Sequence, residues 1–446
     1  MDNGGGLNRR AFLKSAQLVA IAGAAGASAP LLAGAGADAP ATTYDFDTPY
    51  SRSGTDCTKW DAQYRIYGRE NIAVGMGIAD MDFKVAPCVT RALAERVKHE
   101  NWGYLDMPQA FPDAIIAWNK RHYGIDIQPA WLRLSTGVHP SIVSALRAFS
   151  PPGSKVLVMT PIYDGFFGDI TAAGCTREES PMRLVNGKYS LDFEELERHI
   201  SADTKTLIFC NPQNPTGNCW TAQDMTTLGE LCLKRGVVML VDEIHCDLIT
   251  KGNKYIPFCT LANRDVVRNS ITFKSGSKSF SLSAMKIGWM FSENADYIAK
   301  IMASGHSQDF NTLGMVATLA AYTQGDDHLH QTVSYLDANH DFVVSYVHAN
   351  MPLVSYTKAQ GTYLAWLDVS RVIDKIGAKA RADAAGNGVS PEDMVTRFFV
   401  DNAKVQINSG SHYGRAGAGH MRMNIATSRK TLELALSNMA SALRIA

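Results

Sequence analysis

The chain has 446 residues, of which 46% are hydrophobic and 19% charged, and its 43 basic residues equal its 43 acidic residues. This composition is typical of a globular protein long enough for two domains, and it excludes disordered, fibrous and collagen-like chains. The balanced charge gives no net positive field, so we expect no nucleic-acid partner. Eight cysteines without a C-x-x-C pair exclude a small disulfide scaffold and a structural zinc module.

The first 37 residues have the pattern of an export signal. Asn8-Arg9-Arg10-Ala11-Phe12-Leu13-Lys14 precedes a weakly apolar stretch rich in Ala and Gly, and Ala35-Gly36-Ala37 offers a cleavage site. The paired arginines indicate the twin-arginine route. The scattered glycines and Pro30 argue against the alternative, a membrane-spanning anchor. We therefore predict a signal peptide over residues 1–37, recognition by the twin-arginine export machinery, and a periplasmic location.

Short apolar runs alternate with helical segments over the next part of the chain. The predicted strands lie at residues 156–159, 207–210, 237–241 and 271–273, and helical spacing is present at 192–200 and 222–234. Strands that are apolar along their whole length are typical of a parallel sheet buried on both faces. We therefore predict a large α/β domain over residues 91–325 with a doubly wound, mainly parallel sheet. Within it, Cys210 is predicted to be a core residue.

The two remaining parts of the chain are predicted to form a second domain. A long helical pattern follows residue 326, residues 363–367 have the pattern of a strand, and Ser390-Pro391-Glu392-Asp393 is typical of a capped helix start. We predict a smaller α+β domain over residues 326–446, which is joined by the N-terminal segment 38–90.

Four polar residues follow the predicted strands of the large sheet. Tyr163 and Asn214 each lie four residues past a strand, Asp242 directly follows one, and Lys278 lies five residues past the last. In an open parallel sheet, ligands bind beyond the carboxyl ends of the strands. Each residue alone would also be compatible with a loop position of no function. Together they predict a site built from an aromatic ring, an amide, a carboxylate and an amine.

The motifs around these residues carry a family resemblance. The stretches N-P-Q-N-P-T-G at 211–217, D-E-I-H-C-D at 242–247 and S-G-S-K-S-F at 275–280 resemble the pyridoxal-phosphate signatures of class I/II aminotransferases. More narrowly, the chain resembles the MalY/PatB-type cystathionine β-lyases, also in A-D-M-D-F at 79–83, W-G-Y at 102–104, T-Y-L-A-W at 362–366 and R-M-N at 422–424. The resemblance extends from about residue 54 to the C-terminus. It implies a fold-type I enzyme with pyridoxal 5'-phosphate as cofactor and a homodimeric assembly.

The resemblance assigns roles around the cofactor ring. Lys278 would bind the cofactor aldehyde covalently and move the substrate's Cα proton, since a lysine amine bonds an aldehyde reversibly. Lys274 and Lys286 are nearby competitors that fit the motif less well. Asp242 would keep the pyridine nitrogen protonated. In the same comparison, Asn214 would bind the ring's 3'-oxygen, Tyr163 would stack on the ring, and His245 would stand where many aminotransferases have a tyrosine.

The phosphate and the substrate carboxylate also have candidate partners. Thr136, Gly137 and Val138 precede a helical run, and backbone N–H groups at a helix start form a natural anion site. The resemblance adds the hydroxyls of Ser275 and Ser277, and Tyr104 contributed by the neighbouring subunit of a homodimer. Arg422 would bind the substrate carboxylate as a two-pronged donor.

The reaction type is the least determined prediction. Lys286, eight residues after Lys278, stands where many aminotransferases place an arginine on the phosphate, whereas the lyases have a neutral residue. Ser281 also replaces an asparagine that is common in the lyases. Against this, His245 and the overall resemblance favour a lyase.

We predict an aminotransferase that acts on the α-amino group of an amino acid, with a keto acid as acceptor. An exported enzyme would suit an amino-acid unit of an exported metabolite, such as a peptide siderophore precursor. The alternative is a β-lyase that releases pyruvate, ammonia and a thiol from cystathionine or a cysteine S-conjugate. A cofactor-binding protein without turnover is disfavoured because Lys278, Asp242, Asn214 and Arg422 are all present. His139 and His306 show no metal-ligand spacing; they are predicted to be core or surface residues, and no metal is expected.

Overall fold

The computed structural model describes residues 42–306 and 308–445. The predicted signal peptide at 1–37 therefore lies outside the described residues. From Tyr44 onwards the chain forms one unit, so the predicted domain boundaries at residues 90 and 325 stay predictions. Within the described ranges, no helix combines the length and apolar character needed to cross a bilayer.

The strands are numbered in chain order. They are β1 (Val74–Gly75), β2 (Leu132–Ser135), β3 (Lys155–Thr160), β4 (Thr176–Pro181), β5 (Arg183–Val185), β6 (Lys188–Ser190), β7 (Thr204–Cys210), β8 (Val238–Asp242), β9 (Ser270–Lys274), β10 (Gly288–Phe291), β11 (Ser355–Tyr356), β12 (Leu364–Asp368), β13 (Val405–Gln406), β14 (Asn408–Ser409) and β15 (His420–Asn424).

The α-helices are numbered in the same way. They are α1 (Asp61–Tyr67), α2 (Pro87–Val97), α3 (Ala110–Tyr123), α4 (Val138–Phe149), α5 (Gly165–Ala172), α6 (Phe193–His199), α7 (Ala222–Arg235), α8 (Arg264–Arg268), α9 (Ala295–Ala303), α10 (Thr312–Gln324), α11 (Asp326–Asn350), α12 (Ser370–Lys375), α13 (Ala378–Ala385), α14 (Pro391–Ala403) and α15 (Arg429–Ile445). Short 3₁₀ turns are at Arg69–Asn71, Pro129–Trp131, Phe258–Thr260, Ser283–Met285, Gly410–Tyr413 and Arg415–Gly417.

A seven-stranded sheet with the order β2-β10-β9-β8-β7-β3-β4 forms the centre of the molecule. The pairs from β9 through to β4 are parallel, and only β10 runs antiparallel to its two neighbours, β2 and β9. The prediction of a doubly wound, mainly parallel sheet is confirmed. One boundary differs, because Asp242 is the last residue of β8 rather than the first residue after it.

The large sheet is buried on both faces, as the unbroken apolar strands predicted. Leu157, Leu207 and Met239 belong to the core on one face. Their chain neighbours Val158, Ile208 and Leu240 belong to the core on the other. Successive side chains of a strand point to opposite faces, so each strand contributes apolar residues to both cores. Such a sheet leaves its strand ends, rather than its faces, available for a ligand.

A second, four-stranded sheet with the order β11-β12-β15-β14 forms its own core. This core includes residues from the segment before α2, namely Phe46, Val74, Met76, Ala79, Met81 and Phe83. The segment thus packs with the second sheet, although it is far from it in sequence. The helix start predicted at Ser390 is confirmed, since its hydroxyl accepts from Asp393 N–H and the Asp393 carboxylate accepts in return.

All eight cysteines are unpaired in the structure, and five of them are buried. Cys210 lies in β7 and is 1% exposed, which confirms the prediction that it is a core residue. Burial raises the pKa of its thiol well above the usual value. A buried thiol that stays protonated is a packing group rather than a nucleophile.

Candidate active site

The carboxyl ends of the parallel strands bring the predicted polar residues to one edge of the large sheet. Asp242 ends β8 and pairs in register with Cys210 of β7 on one side and Phe273 of β9 on the other. The loops that carry Asn214 and Lys278 therefore leave the sheet beside Asp242. This placement follows from the topology, since parallel strands present the same ends at the same edge.

Lys278 presents its amine at this edge. The Nζ atom donates to the backbone carbonyl oxygen of Ala79 at 2.8 Å. Burial, aided by the positive charge of Arg422, lowers the pKa of the amine to about 8. A substantial fraction of Lys278 is therefore neutral near pH 8, which is the form that can attack an aldehyde or take a proton.

The competing lysines are placed differently. Lys274 is 2% exposed, and its Nζ lies 4.1 Å from the ring centre of Tyr123 and 5.5 Å from that of Tyr255. A lysine enclosed between two aromatic rings is held there by cation–π contacts. Lys286 is exposed. Lys278 is therefore the amine that the strand ends present.

Asp242 is 4% exposed, and its Oδ1 accepts from the backbone N–H of Ile244 at 3.0 Å. Burial raises the pKa of this carboxyl to about 7, while the positive charges of His139 and Lys278 oppose the rise. A buried carboxylate with so little positive charge around it is stabilised by a further cationic partner. A protonated pyridine nitrogen has the charge that this position lacks.

Arg422 joins the second sheet to the large one. It lies on β15 and is buried; its Nη1 donates to Asn214 Oδ1 at 3.1 Å and its Nη2 donates to the Gly77 carbonyl at 2.8 Å. The guanidinium carbon also lies 4.8 Å from the ring centre of Tyr413. Its Nε is buried and has no partner among the residues that the structure describes. The two predicted site residues Arg422 and Asn214 are thus in direct contact.

His245 contributes a neutral imidazole. Burial lowers its pKa well below the usual value, and the charges of Lys278 and Arg422 act in the same direction. Within the described ranges its Nδ1 is buried without a hydrogen-bond partner. Such an atom is rare in a folded protein unless a ligand or water satisfies it.

The loop before α4 has the backbone that a phosphate site needs. Gly137 has φ +147°, a value that favours glycine, and its carbonyl accepts from the hydroxyls of Ser135 at 3.0 Å and Ser141 at 3.1 Å. Gly288 of β10 packs against this loop so closely that an added Cβ would lie 2.7 Å from the Gly137 carbonyl carbon. Thr136, Gly137 and Val138 therefore stand at the start of a twelve-residue helix, where N–H groups and the helix dipole favour an anion.

The other predicted phosphate partners are less directly placed. The Ser275 hydroxyl donates to the Ile287 carbonyl at 2.7 Å and accepts from the Ser277 N–H at 3.0 Å. Its only proton is already used, so a direct bond from Ser275 to a phosphate would require that bond to break. Ser277 is half-buried, and Tyr104 is fully exposed in the loop before α3. A role for Tyr104 in a second subunit stays a prediction.

His139, which had no predicted site role, lies next to Tyr163. His139 Nε2 is 3.4 Å from the Tyr163 hydroxyl, and its Nδ1 is 2.7 Å from Asp169 Oδ2 on α5. The bond to Asp169 raises the pKa of His139. The prediction that His139 is a core or surface residue missed this contact with a site residue. Its position directly after Thr136-Gly137-Val138 was the one available signal.

Tyr363 is a second residue whose place in the site was not predicted. It is fully buried, and its hydroxyl donates to the Ala79 carbonyl at 2.8 Å. The same carbonyl accepts from Lys278. Tyr363 was predicted inside a strand, but β12 begins one residue later. The motif T-Y-L-A-W contained the residue, yet no pattern in the sequence linked it to Lys278.

These observations test whether pyridoxal phosphate fits the site. A buried carboxylate without sufficient positive charge, two buried nitrogen atoms without partners, a lysine of lowered pKa and an anion-binding helix start are all present. Each matches one part of the cofactor or of an amino-acid substrate. The described residues contain no group of three or more His, Cys, Asp or Glu that could hold a metal ion.

The comparison with known proteins decides the family. The profile for aminotransferase class I and II matches residues 71–439. The chain belongs to the class I and II aminotransferase family. It is a fold-type I enzyme that depends on pyridoxal phosphate, as the motifs implied.

Within this family the chain is similar to several C–S lyases along its length. Cystathionine β-lyase PatB of Bacillus subtilis is 32% identical over 403 residues, which cover 90% of this chain and 100% of the relative. Cystalysin of Treponema denticola, a structure that contains pyridoxal phosphate, has a TM-score of 0.82 and 27% identity, covering 91% of this chain and 100% of that one. The PLP-bound C–S lyase of Staphylococcus hominis has the same TM-score and identity, covering 90% and 99%. The resemblance to the MalY/PatB-type subgroup is thereby confirmed.

Proposed function

We propose that the protein is a C–S β-lyase, which cleaves the Cβ–S bond of cystathionine or of a cysteine S-conjugate. The observation that carries this proposal is the similarity to PatB and to the S. hominis C–S lyase over nearly all of both chains. The proposal reverses the order of the two reaction types predicted from the sequence. The family contains both lyases and aminotransferases. Amino transfer was favoured by two positions only, Lys286 and Ser281, whereas the similarity to the lyases extends over nearly the whole chain.

The residues of the site suit this chemistry. Arg422 binds the substrate carboxylate, and bound pyridoxal phosphate supplies an electron sink for the charge that develops at Cα. Lys278, with a pKa of about 8, takes the Cα proton in its neutral form. The electron pair released at Cα forms a double bond to Cβ as the C–S bond breaks. Sulfur leaves with its bonding pair and takes a proton, and water converts the remaining fragment to pyruvate and ammonia.

Residues of the chain hold these groups in place. Asp242, at the end of a buried strand, stabilises a positive charge on the group opposite it, and His245 contributes a neutral imidazole whose pKa the Lys278 charge helps to lower. Tyr163 supplies a half-buried aromatic ring at the same edge of the sheet. Asn214 orients Arg422 through the 3.1 Å bond between them.

The test is to incubate the cofactor-loaded protein with cystathionine alone and to measure pyruvate and thiol. We expect both products in equal amounts without any added keto acid. In Lys278→Ala the rate should fall roughly 10²–10⁴-fold, the range for loss of a general acid–base group. Lys234→Ala, at an exposed lysine on the last turn of α7, should retain full activity. Amino transfer to 2-oxoglutarate or pyruvate without thiol release would contradict the proposal.

Amino-group transfer is the second candidate, and Lys286 is the observation that favours it. Its charge is one of those that lower the pKa of Lys278. A cation at this position would help to retain a cofactor that is not covalently bound. If the protein transfers amino groups, Lys286→Met should lose cofactor during turnover with an amino donor and a keto acid. Cofactor released into the filtrate measures this loss, and the unaltered protein is the control.

We also propose that the protein is exported to the periplasm and acts there on an amino-acid unit or S-conjugate outside the cytoplasm. The paired arginines at positions 9 and 10 and the A-G-A sequence at 35–37 support this proposal. In a bacterium with a twin-arginine system, the double substitution Arg9→Lys and Arg10→Lys should retain the chain in the cytoplasmic fraction. Unchanged periplasmic recovery of the double variant would contradict twin-arginine export.

A further inference from the structure

A cavity of about 580 Å³ is lined by residues that have no role in the steps above. Its wall includes Met81 and Ser281, and the Met81 N–H donates to the Ser281 hydroxyl at 3.0 Å. These residues follow Ala79 and Lys278 by two and three positions in sequence, and Lys278 Nζ donates to Ala79. The same two chain segments therefore form the amine site and one wall of the cavity. A cavity of this volume is in the range of small-molecule sites, about 300–1,000 Å³.

The cavity has an excess of positive charge. Arg52, Lys84 and Arg91 line it. Arg52 is paired with Asp80 at 2.7 Å, so this cation is largely neutralised. Lys84 and Arg91 are exposed and, among the residues that the structure describes, neither has a carboxylate partner within 4.0 Å. Like-signed charges around a concave surface concentrate anions there.

The nearby carboxylates do not cancel this charge. Asp82 is buried and is paired with the buried Lys59 at 2.8 Å. With the pair of Arg52 and Asp80, two carboxylates face two cations, and no acidic side chain is among the residues that line the cavity with Lys84 and Arg91. The Lys84 Nζ lies 5.9 Å from the ring centre of Tyr50, so an aromatic ring rather than an acid faces it.

The other walls are apolar. Phe83 and Val85 line the cavity on either side of Lys84 in sequence, and Met81 joins them. This apolar wall, with the cations of Lys84 just before α2 and Arg91 within α2, suits a chain of methylene groups that ends in an acid. A ligand whose only charges lie at its reacting end would make no ion pair with Lys84 or Arg91.

We propose that this cavity binds the far end of the sulfur substituent, and that the preferred substrates carry a carboxylate or similar anionic group there. This inference rests on the proposed C–S lyase function and names its substrate class. Lys84 and Arg91 are then specificity residues for the leaving group. They stand outside the catalytic set, because neither contacts Lys278, Asp242 or Arg422.

The experiment compares two substrates that differ only in charge. S-carboxypropyl-cysteine and its amide, S-carbamoylpropyl-cysteine, have the same length and shape. The kcat/KM of the cofactor-loaded enzyme should be higher for the carboxylate. In the double variant Lys84→Gln and Arg91→Gln, the ratio of the two kcat/KM values should fall roughly tenfold, as expected for the loss of two exposed charge contacts. The change should lie mainly in KM, and the amide should keep its kcat/KM within about twofold.

Lys234→Gln is the matched control, since it removes an exposed charge that does not line the cavity. An unchanged ratio in a double variant that retains its melting temperature would overturn the inference. If the double substitution changes the number of subunits but leaves the ratio of the two kcat/KM values unchanged, the cavity belongs to a contact between copies. This result would also overturn the inference.

Failure of the proposed function is distinguishable from failure of this inference. If neither substrate nor cystathionine releases pyruvate, the lyase proposal is wrong, and binding then tests the cavity by itself. The probe is the thioether diacid that matches S-carboxypropyl-cysteine but lacks the amino group. By calorimetry with the cofactor-loaded protein, its Kd should rise roughly tenfold in the double variant and remain unchanged in Lys234→Gln. Equal affinity for the unaltered protein and the double variant would contradict the inference.

Discussion

Lys278 acquires its chemistry from its surroundings. Burial and Arg422 together lower the pKa of its amine to about 8, whereas a free lysine stays charged well above pH 9. Asp242 changes in the opposite direction for the same reason, since burial disfavours a negative charge too and raises its pKa to about 7. The identity of each residue could be predicted from the sequence, but its protonation state depends on burial.

The lowered pKa of Lys278 predicts how the apoprotein takes up its cofactor. The neutral amine is the reactive form, so the rate of uptake should rise with pH up to about 8 and then level off. In Arg422→Met one of the positive charges that lower this pKa is gone, so the midpoint should move to higher pH. The measurement is the rate of cofactor absorbance change from pH 6 to pH 10. A midpoint near the ordinary lysine value of about 10.4 would contradict the assignment.

Tyr363 is predicted to position the amine. Its hydroxyl and Lys278 Nζ both donate to the Ala79 carbonyl, each at 2.8 Å. In Tyr363→Phe the carbonyl keeps only the lysine, so the amine should turn less readily towards substrate and kcat should fall about 3- to 10-fold, the range for one hydrogen bond. The cofactor-uptake midpoint should shift as well, which a purely structural role would not cause.

The matched control for Tyr363 is Tyr356→Phe. Tyr356 is a half-buried tyrosine on β11, and its hydroxyl contacts His340 and the Ala359 N–H rather than the amine site. This variant can lose stability without a change in the pH midpoint. An unaltered midpoint in Tyr363→Phe would leave the residue with a packing role only.

At the scale of elements, the helix start at Val138 depends on a strand that is distant in sequence. The loop before α4 packs on β10, and glycine at 288 is what permits the contact. The sequence predicted the loop and the helix from local signals. It gave no indication that residue 288 would touch residue 137, because β10 reaches this place by reversing direction within the sheet.

Gly288→Ala should disturb the predicted phosphate site. The added Cβ would lie 2.7 Å from the Gly137 carbonyl carbon, so either the strand or the loop must move. We expect the free energy of unfolding to fall by about 1–3 kcal/mol, as for other overpacked sites, and cofactor affinity to fall with it. Urea unfolding of the apoprotein and cofactor titration measure the two effects.

Gly168→Ala provides the comparison. Gly168 lies within α5, and a Cβ there would meet nothing within 4 Å. Alanine is favoured over glycine in a helix, so this variant should be neutral or up to about 1 kcal/mol more stable. Equal effects of the two substitutions would show that the close approach at Gly288 does not matter.

At the scale of the whole molecule, one arginine connects the two sheets. Arg422 on β15 contacts Asn214 after β7, and the two residues are 208 positions apart in sequence. The substrate carboxylate partner and the cofactor residues therefore lie in one site only after both sheets have formed. The side chains of Trp102 and Tyr104 are exposed rather than packed between the two sheets. This exposure agrees with the proposed role of Tyr104 in a second subunit.

The proposed homodimer can be tested by subunit complementation. Tyr104→Ala and Lys278→Ala should each be nearly inactive alone, because one lacks the donated tyrosine and the other lacks the amine. Mixing equal amounts with exchange of subunits should restore about a quarter of the native sites, since half of the dimers are mixed and each has one intact site. Size-exclusion chromatography with light scattering establishes the dimer, and co-purification of two differently tagged variants establishes that exchange has occurred. No recovery after exchange would exclude a contribution of Tyr104 across subunits.

The sequence by itself determined the strands, the residues at their carboxyl ends and the family. These depend on local patterns: the apolar run of a buried strand, the cap of a helix, and motifs a few residues long. Only the tertiary structure decided that Lys278 and Tyr363 share the Ala79 carbonyl, that His139 lies beside Tyr163, and that Lys84 and Arg91 line one cavity. Those features arise from segments up to 284 positions apart. Burial and distance between such segments are set by how the sheets pack, and no local pattern encodes them.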